Sequence, residues 1–291
     1  MKIVNILGGL GNQMFEYAMY LALKDAHPEE IIKVCTRSFQ GYGLHNGLEL
    51  KRIFNVELPE ASLWELAKLA YPFFNYKTYQ VMFHWLRQRK TMTKGLTNIA
   101  FNPKEVSRQD SVFYDGYWQN EKFFRDIRED VVAAYTFPEF IDERNIKLES
   151  LLNGCNAVSC HVRRGDYLQD QRYQVCTAKY YMDAIAMMNE KVNPDMYVVF
   201  SDGIDWCKEN LPAVIGNRKV VYVDWNKKEN SFRDMQLMSL CRHNIIANSS
   251  FSWWGAWLGQ YEDKVVIAPS KWVREPIVNN PICDSWIKVE V

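Results

Sequence analysis

The chain has 291 residues, of which 48% are hydrophobic and 24% are charged, a balance typical of a globular protein. The 35 Lys and Arg residues offset 35 Asp and Glu residues, and this zero net charge argues against a general nucleic-acid-binding protein. The length predicts two domains or one large one.

The first half opens as a Rossmann-like unit. A strand over 2–7 is followed by Gly8, Gly9 and Gly11 and then by a helix over 12–24, whose apolar residues recur at helical spacing. Further along, the patterns predict a strand over 31–35, a helical segment over 63–89 interrupted by Pro72, a strand and turn over 111–118, and a helix over 122–134.

The second half alternates between strands and helices. After a passage over 138–156, strands are predicted at 157–162, 196–201, 219–223, 244–247 and 264–268, and helices at 178–190, 205–210, 232–242 and 253–260. Thr177 is predicted to cap the first of these helices. Such alternation implies parallel strands joined by right-handed crossovers. The predicted fold class is α/β, with two Rossmann-type domains over 1–150 and 151–291 and a cleft between them.

The cysteines and the N-terminus indicate the compartment. The 7 cysteines are irregularly spaced without a CxxC pair, which fits a reducing cytosol better than a disulfide or zinc framework. The first apolar run is broken by Gly8 and is too short for a signal peptide. No uncharged apolar run approaches the roughly 18 residues of a membrane-spanning helix. We therefore expect a cytoplasmic protein.

An arginine pair follows the strand predicted at 157–162, in the sequence His161-Val162-Arg163-Arg164-Gly165-Asp166-Tyr167. Ligands bind beyond the carboxyl ends of strands in open α/β sheets, and forked guanidinium groups there suit a phosphate or diphosphate. The alternative is a surface loop in which Arg163 or Arg164 pairs with Asp166.

Two further strand ends carry polar residues. In Asn248-Ser249-Ser250-Phe251-Ser252-Trp253-Trp254, the start of a helix offers N–H groups and a dipole that favour an anion. The alternative is that Ser250 or Ser252 only caps the helix. In Phe200-Ser201-Asp202, the carboxylate suits a ribose or base edge as well as it suits a helix cap.

The glycine loop, Gly8-Gly9-Leu10-Gly11-Asn12-Gln13, is a weak signal by itself. It lacks the Gly-Lys-Ser/Thr ending of a P-loop, and Met14 occupies the third glycine position of GxGxxG, which disfavours a nicotinamide-dependent oxidoreductase. Its glycines would let a ligand approach the backbone closely. The chain also lacks Asp-x-Asp, HExxH and CxxC, so we expect neither a metal nor another cofactor.

Taken together and in this order, the motifs at 8–15, 161–167, 200–202 and 248–254 closely resemble those of the α-1,2-fucosyltransferases, glycosyltransferase family 11. The length is similar to that of the bacterial members. The resemblance implies a GT-B-like fold, GDP-β-L-fucose as the donor and a terminal β-galactoside as the acceptor. It also implies metal-independent transfer to the 2-hydroxyl with inversion at the fucose carbon.

The same resemblance implies roles for individual residues. Arg163 would hold the β-phosphate and stabilise the leaving GDP, while Arg164 would support the loop or the donor. His161 and Asp202 would contact the guanosine. The other implied donor-binding residues are Asn248, Ser249, Ser250, Phe251 and Ser252, whose serines flank the diphosphate, and Gly9 and Gly11, which with Asn12 form a wall near fucose and acceptor.

The acceptor hydroxyl also needs a general base or a hydrogen-bonding group that positions it. Asp166 is a candidate because it shares the arginine loop, and Glu16 is another. Asn12 would position the hydroxyl without taking its proton. Two alternative functions stay open, namely a fucosyltransferase that forms an α-1,6 linkage and a non-catalytic glycan- or nucleotide-binding protein on the same scaffold.

The segment over 64–94 combines many aromatic residues with Arg87, Arg89, Lys90 and Lys94. Core packing is the favoured interpretation, because apolar helical stripes are usually buried. The alternative is peripheral contact with the inner face of a membrane, which would suit an enzyme acting on lipid-linked oligosaccharides.

Overall fold

The computed structural model describes residues 1–95, 101–165, 170–275 and 280–291. These residues form two compact units, Met1–Pro138 and Glu139–Val291. The boundary lies earlier than the predicted division at 150, because a helix over Glu143–Leu152 packs Leu148 and Leu152 into a core cluster of the second unit. The passage predicted over 138–156 therefore contains a helix that its sequence pattern did not reveal.

The first unit is built on a parallel sheet in the order β2-β1-β4-β3. Its strands are β1 (Lys2–Asn5), β2 (Ile32–Cys35), β3 (Met92–Gly95) and β4 (Val112–Gly116). Because β2 lies on one side of β1 and β4 on the other, the strand order reverses between β1 and β4. In open α/β sheets the ligand crevice lies at such a switch point, beyond the carboxyl ends of the strands.

The helices of the first unit are α1 (Leu10–Ala26), α2 (Leu50–Phe54), α3 (Leu63–Leu69), α4 (Tyr76–Trp85), α5 (Lys104–Ser107) and α6 (Arg128–Ala134). The helix predicted over 63–89 is split into α3 and α4 around Pro72, as a residue without an amide proton would require. The helix predicted over 122–134 begins later, since short 3-10 turns occupy Glu121–Phe123 and Arg125–Ile127.

The second unit contains a parallel sheet in the order β10-β9-β8-β5-β6-β7. Its strands are β5 (Ala157–Val162), β6 (Met196–Ser201), β7 (Lys219–Val223), β8 (His243–Ile245), β9 (Val266–Pro269) and β10 (Ile287–Val289). Counted within the unit and read from β7, this is the Rossmann order 3-2-1-4-5-6. The switch point therefore lies between β5 and β8.

The helices of the second unit are α7 (Glu143–Leu152), α8 (Ala178–Val192), α9 (Ile204–Asn210), α10 (Pro212–Ile215), α11 (Phe232–Leu240) and α12 (Ser250–Leu258). Thr177 caps α8 as predicted, its hydroxyl accepting the Tyr180 N–H at 3.4 Å. Two parallel sheets with crossover helices confirm the predicted α/β class with two Rossmann-type domains, which is the domain composition of a GT-B-like fold.

The central strands of the second sheet are buried on both faces. In β5, Val158 and Cys160 contact one core cluster, whereas Ala157 contacts the cluster on the opposite face. In β6, Val199 and Phe200 divide between the same two clusters. Strands covered on both sides read as continuous apolar runs, and burying one such side chain contributes about 1.5–3 kcal/mol. This packing fixes where β5 and β6 end, and therefore where the polar loops that follow them begin.

Candidate active site

The arginine loop, residues 163–165, begins directly after β5 at the switch point of the second sheet. The Arg163 Nη1 lies 3.1 Å from the Asp202 Oδ2, and the Arg164 backbone N–H donates to the Asp202 Oδ1 at 2.7 Å. Asp202 follows the neighbouring strand β6. A single carboxylate thus fixes the loop, and the Arg163 side chain is still 32% exposed.

The other members of the loop have different surroundings. The Arg164 guanidinium lies over the ring of Trp206, 4.2 Å from its centroid, which directs this arginine toward α9. A Cβ on Gly165 would lie 2.9 Å from the Asp202 Oδ2, so the close approach of Asp202 requires glycine. Asp166, the predicted partner of the arginines and a candidate base, lies outside the described residues, whereas Asp202 is the observed partner of Arg163.

His161 lies beneath the loop, at the end of β5. It is 7% exposed, and its Nδ1 has no hydrogen-bond partner among the described residues. Burial, followed by the positive charge of Arg163, lowers its pKa to about 3, so the ring is neutral at physiological pH. The ring of Phe251 lies 6.1 Å away between centroids. A neutral imidazole beside Arg163 adds no charge to the site but can accept or donate one hydrogen bond.

The start of α12 lies across the switch point, following β8. Ser249 is the N-cap, but its side chain makes no capping hydrogen bond. The Ser252 hydroxyl donates to the Ser249 carbonyl at 3.4 Å. The alternative that Ser250 or Ser252 is only the N-cap is therefore wrong, since both lie within the first helical turn. This turn presents backbone N–H groups and the positive end of the helix dipole, which together favour an anion.

Asn248 holds the loops around this helix start. Its side-chain amide donates to the carbonyls of Tyr173 at 3.0 Å and Trp272 at 2.9 Å, and its oxygen accepts from the Cys176 thiol at 3.4 Å. The residue is 1% exposed. These hydrogen bonds show that Asn248 holds the neighbouring loops in place. Its contact with a donor stays a prediction.

The body of α12 is packed tightly. A Cβ on Gly255 would lie 2.7 Å from the Met238 Cβ, so only glycine permits this approach of α12 to α11. The Trp253 ring packs against Trp254 and Trp257, and its indole N–H donates to the Pro281 carbonyl at 2.8 Å. These contacts fix the direction of the helix and therefore of its first turn.

In the first unit, the glycine loop joins β1 to α1 at the other switch point. Gly8 has a φ of +93°, and a Cβ there would lie 2.9 Å from the Asn12 Nδ2. Gly9 is the N-cap of α1, so Gly11 and Asn12 belong to the first turn of the helix and not to the loop. The Gln119 side-chain amide donates to the Asn12 Oδ1 at 2.8 Å, which orients Asn12 from the segment after β4.

A buried carboxyl pair lies near this loop, and one of its members was not anticipated from the sequence. Asp115, in β4, is 7% exposed and accepts from the Asn5 amide at 2.9 Å and the Tyr79 hydroxyl at 3.0 Å. Glu16, 1% exposed, accepts the Leu7 N–H at 2.8 Å. Asp115 lies inside the strand predicted over 111–118 and not at its predicted end, so no sequence signal marked it as a residue at a strand end.

Burial raises the pKa of Glu16 well above its ordinary value; the Leu7 N–H lowers this pKa, and the Asp115 charge raises it. Burial and the Asp115 charge both favour the neutral, protonated form of Glu16. This carboxyl therefore supports the backbone of the glycine loop, and its burial argues against direct contact with an acceptor hydroxyl. Asp115, the other member of the pair, accepts two hydrogen bonds, from the Asn5 amide and the Tyr79 hydroxyl.

Half-exposed aromatic side chains surround the glycine loop. Tyr42 lies 4.9 Å from Tyr76 and 6.3 Å from His45 between ring centroids, and a Cβ on Gly9 would contact the His45 ring at 3.3 Å. Aromatic side chains that combine an apolar ring with a polar edge can pack against a ligand and also hydrogen-bond to it. Tyr42 and His45 belong to no motif, and they meet Tyr76, from the aromatic segment over 64–94, only in the fold.

Comparison with known proteins decides the family. The family model described as "Glycosyl transferase family 11" matches residues 76–290 of the chain. The chain belongs to glycosyltransferase family 11. The match confirms the resemblance that the four motifs indicated, and it includes the arginine loop and the start of α12 in this family 11 glycosyltransferase.

Full-length relatives agree with this assignment. An α-1,2-colitosyltransferase of Escherichia coli is 31% identical over 99% of this chain and 98% of its own length. The galactoside α-(1,2)-fucosyltransferase 2 of Rattus norvegicus is 27% identical over 89% of this chain and 67% of its own length. Among solved structures, POFUT1 in complex with GDP-fucose is 12% identical, with a TM-score of 0.43 over 91% of this chain and 97% of that one. The fold assignment rests on the strand order and not on this likeness.

The predicted site residues of the family 11 glycosyltransferase fall into two groups. In the second unit, Arg163, Asp202 and the start of α12 follow neighbouring strands β5, β6 and β8. In the first unit, Gly9, Gly11 and Asn12 lie at the start of α1. Within each unit, therefore, the predicted residues occupy the switch point of the sheet.

Proposed function

We propose that this family 11 glycosyltransferase transfers L-fucose from GDP-β-L-fucose to the 2-hydroxyl of a terminal β-galactoside and forms an α-1,2 linkage. Family membership and the printed activities of the relatives from Escherichia coli and Rattus norvegicus support the linkage. One structural observation carries the donor half of the proposal: Arg163 and the start of α12 lie on the two strands that flank one switch point.

In the proposed reaction, the bond between fucose C1 and the diphosphate oxygen breaks while the acceptor oxygen bonds to C1 from the opposite face. The bonding pair leaves with GDP, and the acceptor hydroxyl loses its proton to a base. Inversion of a β-linked donor gives the α-linked product. The transition state gathers negative charge on the departing diphosphate, so fixed positive groups aimed at that charge lower the barrier.

Arg163 is the group proposed to meet this charge, because its guanidinium is held by Asp202 yet is partly exposed. The first turn of α12 supplies N–H groups that need not be released from a side-chain cap. His161, neutral and buried beside Arg163, is proposed to bind the guanosine part of the donor. In the first unit, Asn12 is proposed to position the acceptor hydroxyl, and Asp166 stays a candidate to receive its proton.

We also propose that transfer needs no divalent metal, since Arg163 and α12 together supply the positive charge that a cation would otherwise provide. Saturating EDTA should leave initial rates largely unchanged. Loss of activity in EDTA that magnesium or manganese restores would contradict this part of the proposal without touching the donor assignment.

The test of the central proposal is a mass-spectrometric transfer assay with GDP-fucose and lactose, lacto-N-biose or N-acetyllactosamine. We expect a fucosylated product whose linkage is α-1,2 to galactose by NMR. An α-1,6 product would replace the proposed linkage with the alternative one. Binding of GDP without turnover on a broad acceptor panel would support a non-catalytic binding protein, and neither binding nor turnover would refute the donor assignment.

One observation supports colitose as a second candidate donor sugar: the chain is 31% identical to an α-1,2-colitosyltransferase. Colitose is L-fucose without its 3-hydroxyl, so the two GDP-sugars differ at a single carbon. A site that hydrogen-bonds the 3-hydroxyl in a buried setting rejects the deoxy sugar strongly, by up to about 10⁴-fold. Equal concentrations of both donors in one reaction should give predominantly the fucosylated product, and predominant colitosyl transfer would reassign the donor.

A further inference from the structure

The part of the chain that contains α3 and α4 has an uneven distribution of charged residues, although the net charge of the whole chain is zero. Between Glu65 and Glu105 the sequence contains no Asp or Glu. The same stretch contains basic residues throughout, at Lys68, Lys77, Arg87, Arg89, Lys90, Lys94 and Lys104. This stretch lies outside the four motifs at 8–15, 161–167, 200–202 and 248–254.

Helix α4 has apolar side chains on two sides. On the inner side, Tyr79 and Phe83 pack against the core cluster that contains the fully buried Phe73. On the outer side, Val81 is 49% exposed and Trp85 is 78% exposed, and these two residues are one turn apart. Core packing, the favoured interpretation of this segment, therefore holds for the inner side and is wrong for Trp85.

Helix α3 repeats this arrangement on a smaller scale. It buries Leu66 and Leu69, while Trp64 is 83% exposed one turn before the exposed Lys68. The core-packing interpretation is wrong for Trp64 as well. Each of the two helices thus exposes one large indole ring, Trp64 in α3 and Trp85 in α4.

The chain after α4 is fastened to α3, so the two helices form one platform. The Arg89 guanidinium donates to the carbonyls of Ala67 at 2.7 Å and Ala70 at 2.5 Å. The Tyr71 hydroxyl donates to the Arg87 carbonyl at 2.6 Å. Arg89 thus holds the backbone, whereas Lys77, Arg87 and Lys90 are exposed.

We propose that this platform docks on an anionic lipid surface, with Trp64 and Trp85 entering the headgroup region and Lys77, Arg87 and Lys90 binding lipid phosphates. Trp is the side chain that favours the boundary between hydrocarbon and water, and each basic residue near such a surface strengthens binding about fivefold. None of the helices in the described ranges is long and apolar enough to cross a bilayer. The docking is accordingly peripheral, and it does not depend on which sugar is transferred.

A second copy of the chain is a poorer occupant. A two-fold contact brings the same patch of both copies together, and here it would oppose one stretch without acidic residues to another. Anionic lipid instead supplies the negative charge that this stretch lacks.

Vesicle flotation tests the proposal with the full chain. Vesicles of phosphatidylcholine alone are compared with equimolar phosphatidylcholine and phosphatidylglycerol, at low and high salt. We expect binding only to the anionic vesicles and weaker binding at high salt. The Lys77→Gln, Lys90→Gln double variant should bind roughly 25-fold more weakly, and the Trp64→Ser, Trp85→Ser variant more than about tenfold more weakly.

The matched control for the tryptophans is Ile141→Ser in the second unit, where the side chain is 89% exposed. This control should bind like the wild type, and all variants should keep the wild-type melting temperature because the changed side chains are exposed. Binding that is absent, equal on both vesicle types, or unchanged in both double variants would overturn the proposal. A dimer that the tryptophan variant dissociates, in a protein that does not float with vesicles, would assign the platform to a second copy instead.

Discussion

The two switch points of this family 11 glycosyltransferase occupy the same topological position in their sheets but have opposite chemistry. The first is lined by carboxyl and amide groups, with Asp115, Glu16 and Asn12 around a glycine loop. The second is lined by the Arg163 guanidinium and the N–H groups of α12. A repeated architecture therefore presents carboxyl and amide groups in one unit and positive groups in the other.

The two units also differ in the role of the carboxyl group that supports each switch point. In the second unit a carboxylate, Asp202, holds Arg163 in place. In the first unit the buried carboxyl of Glu16 holds the backbone of the glycine loop and lies near Asp115, which favours its neutral form. The variants below test whether this division is real.

The largest effect is expected from Arg163→Ala. Removing a positive group aimed at the leaving diphosphate should lower turnover about a hundred- to a thousandfold, or more, while the melting temperature changes little. Turnover with GDP-fucose measures the loss. Arg242→Ala is the matched control, since it removes an exposed arginine paired with Asp263 in the same unit. Near-wild-type turnover of folded Arg163→Ala would remove Arg163 from the chemistry.

Asp202→Ala should have the next largest effect. It deletes the acceptor of the Arg164 N–H and the partner of Arg163, and hydrogen bonds to a charged group contribute about 1.5–3 kcal/mol each. We expect a ten- to hundredfold loss of turnover. Asp202→Asn keeps the acceptor for the Arg164 N–H and should lose less. Equal losses in the two variants would indicate that the charge of Asp202, and not the loop geometry, carries the effect.

Gly8→Ala probes the first switch point. Its positive φ and the close Asn12 side chain should together cost about 1–3 kcal/mol of unfolding free energy and displace Asn12. Gly41→Ala is the control, because Gly41 also has a positive φ, +79°, but has nothing within 4 Å of its Cβ. Chemical denaturation of both variants separates the backbone strain from the contact. If the two variants are equally unstable, the contact with Asn12 is unimportant.

Glu16→Gln should have the smallest effect on turnover. Because the folded-state pKa of Glu16 is raised, its contribution to stability is fully present below its ordinary pKa and is lost as the pH rises toward the folded-state value. Gln retains an oxygen for the Leu7 N–H and cannot ionise. The variant should therefore be more stable than the wild type at alkaline pH, with the difference vanishing below about pH 4.3. Thermal melts across pH measure this difference, and abolished turnover would instead make Glu16 the general base.

The elements predicted best from sequence are those with a single dominant physical cause. Strands β5, β6 and β7 match their predicted bounds. Strands β5 and β6 are buried along nearly their whole length and read as largely apolar runs, whereas β7 is a partly exposed edge strand whose Val-Val-Tyr-Val run carries the strand pattern. Strands β3 and β10 were missed; both are short, and each lies at the edge of its sheet. Helix α7 was missed for another reason: its mostly polar sequence buries only Asn145, Leu148 and Leu152.

The site was predictable to the extent that its residues follow strands in the sequence. Arg163, Asp202 and Ser249 were located correctly at strand ends, whereas their mutual contacts depend on the order of strands in the sheet. The pairing of Arg163 with Asp202 joins residues from different crossovers, so no local pattern predicts it. Asp115 and Tyr79 were missed for the same reason, as they meet only through packing of α4 on the first sheet.

Because Gly255 has no side chain, the dipoles at the start of α12 are oriented during folding and not when a negative charge develops. Because α12 is locked against α11 and surrounded by tryptophans, its first turn cannot swing when charge appears in front of it. Solvent dipoles must reorient around a growing negative charge, and that reorganisation is part of the barrier in water. Dipoles frozen by folding have completed it before any anion arrives. A residue far from the reacting atoms, chosen for its small size, thereby sets how rigidly the positive end of a helix is aimed.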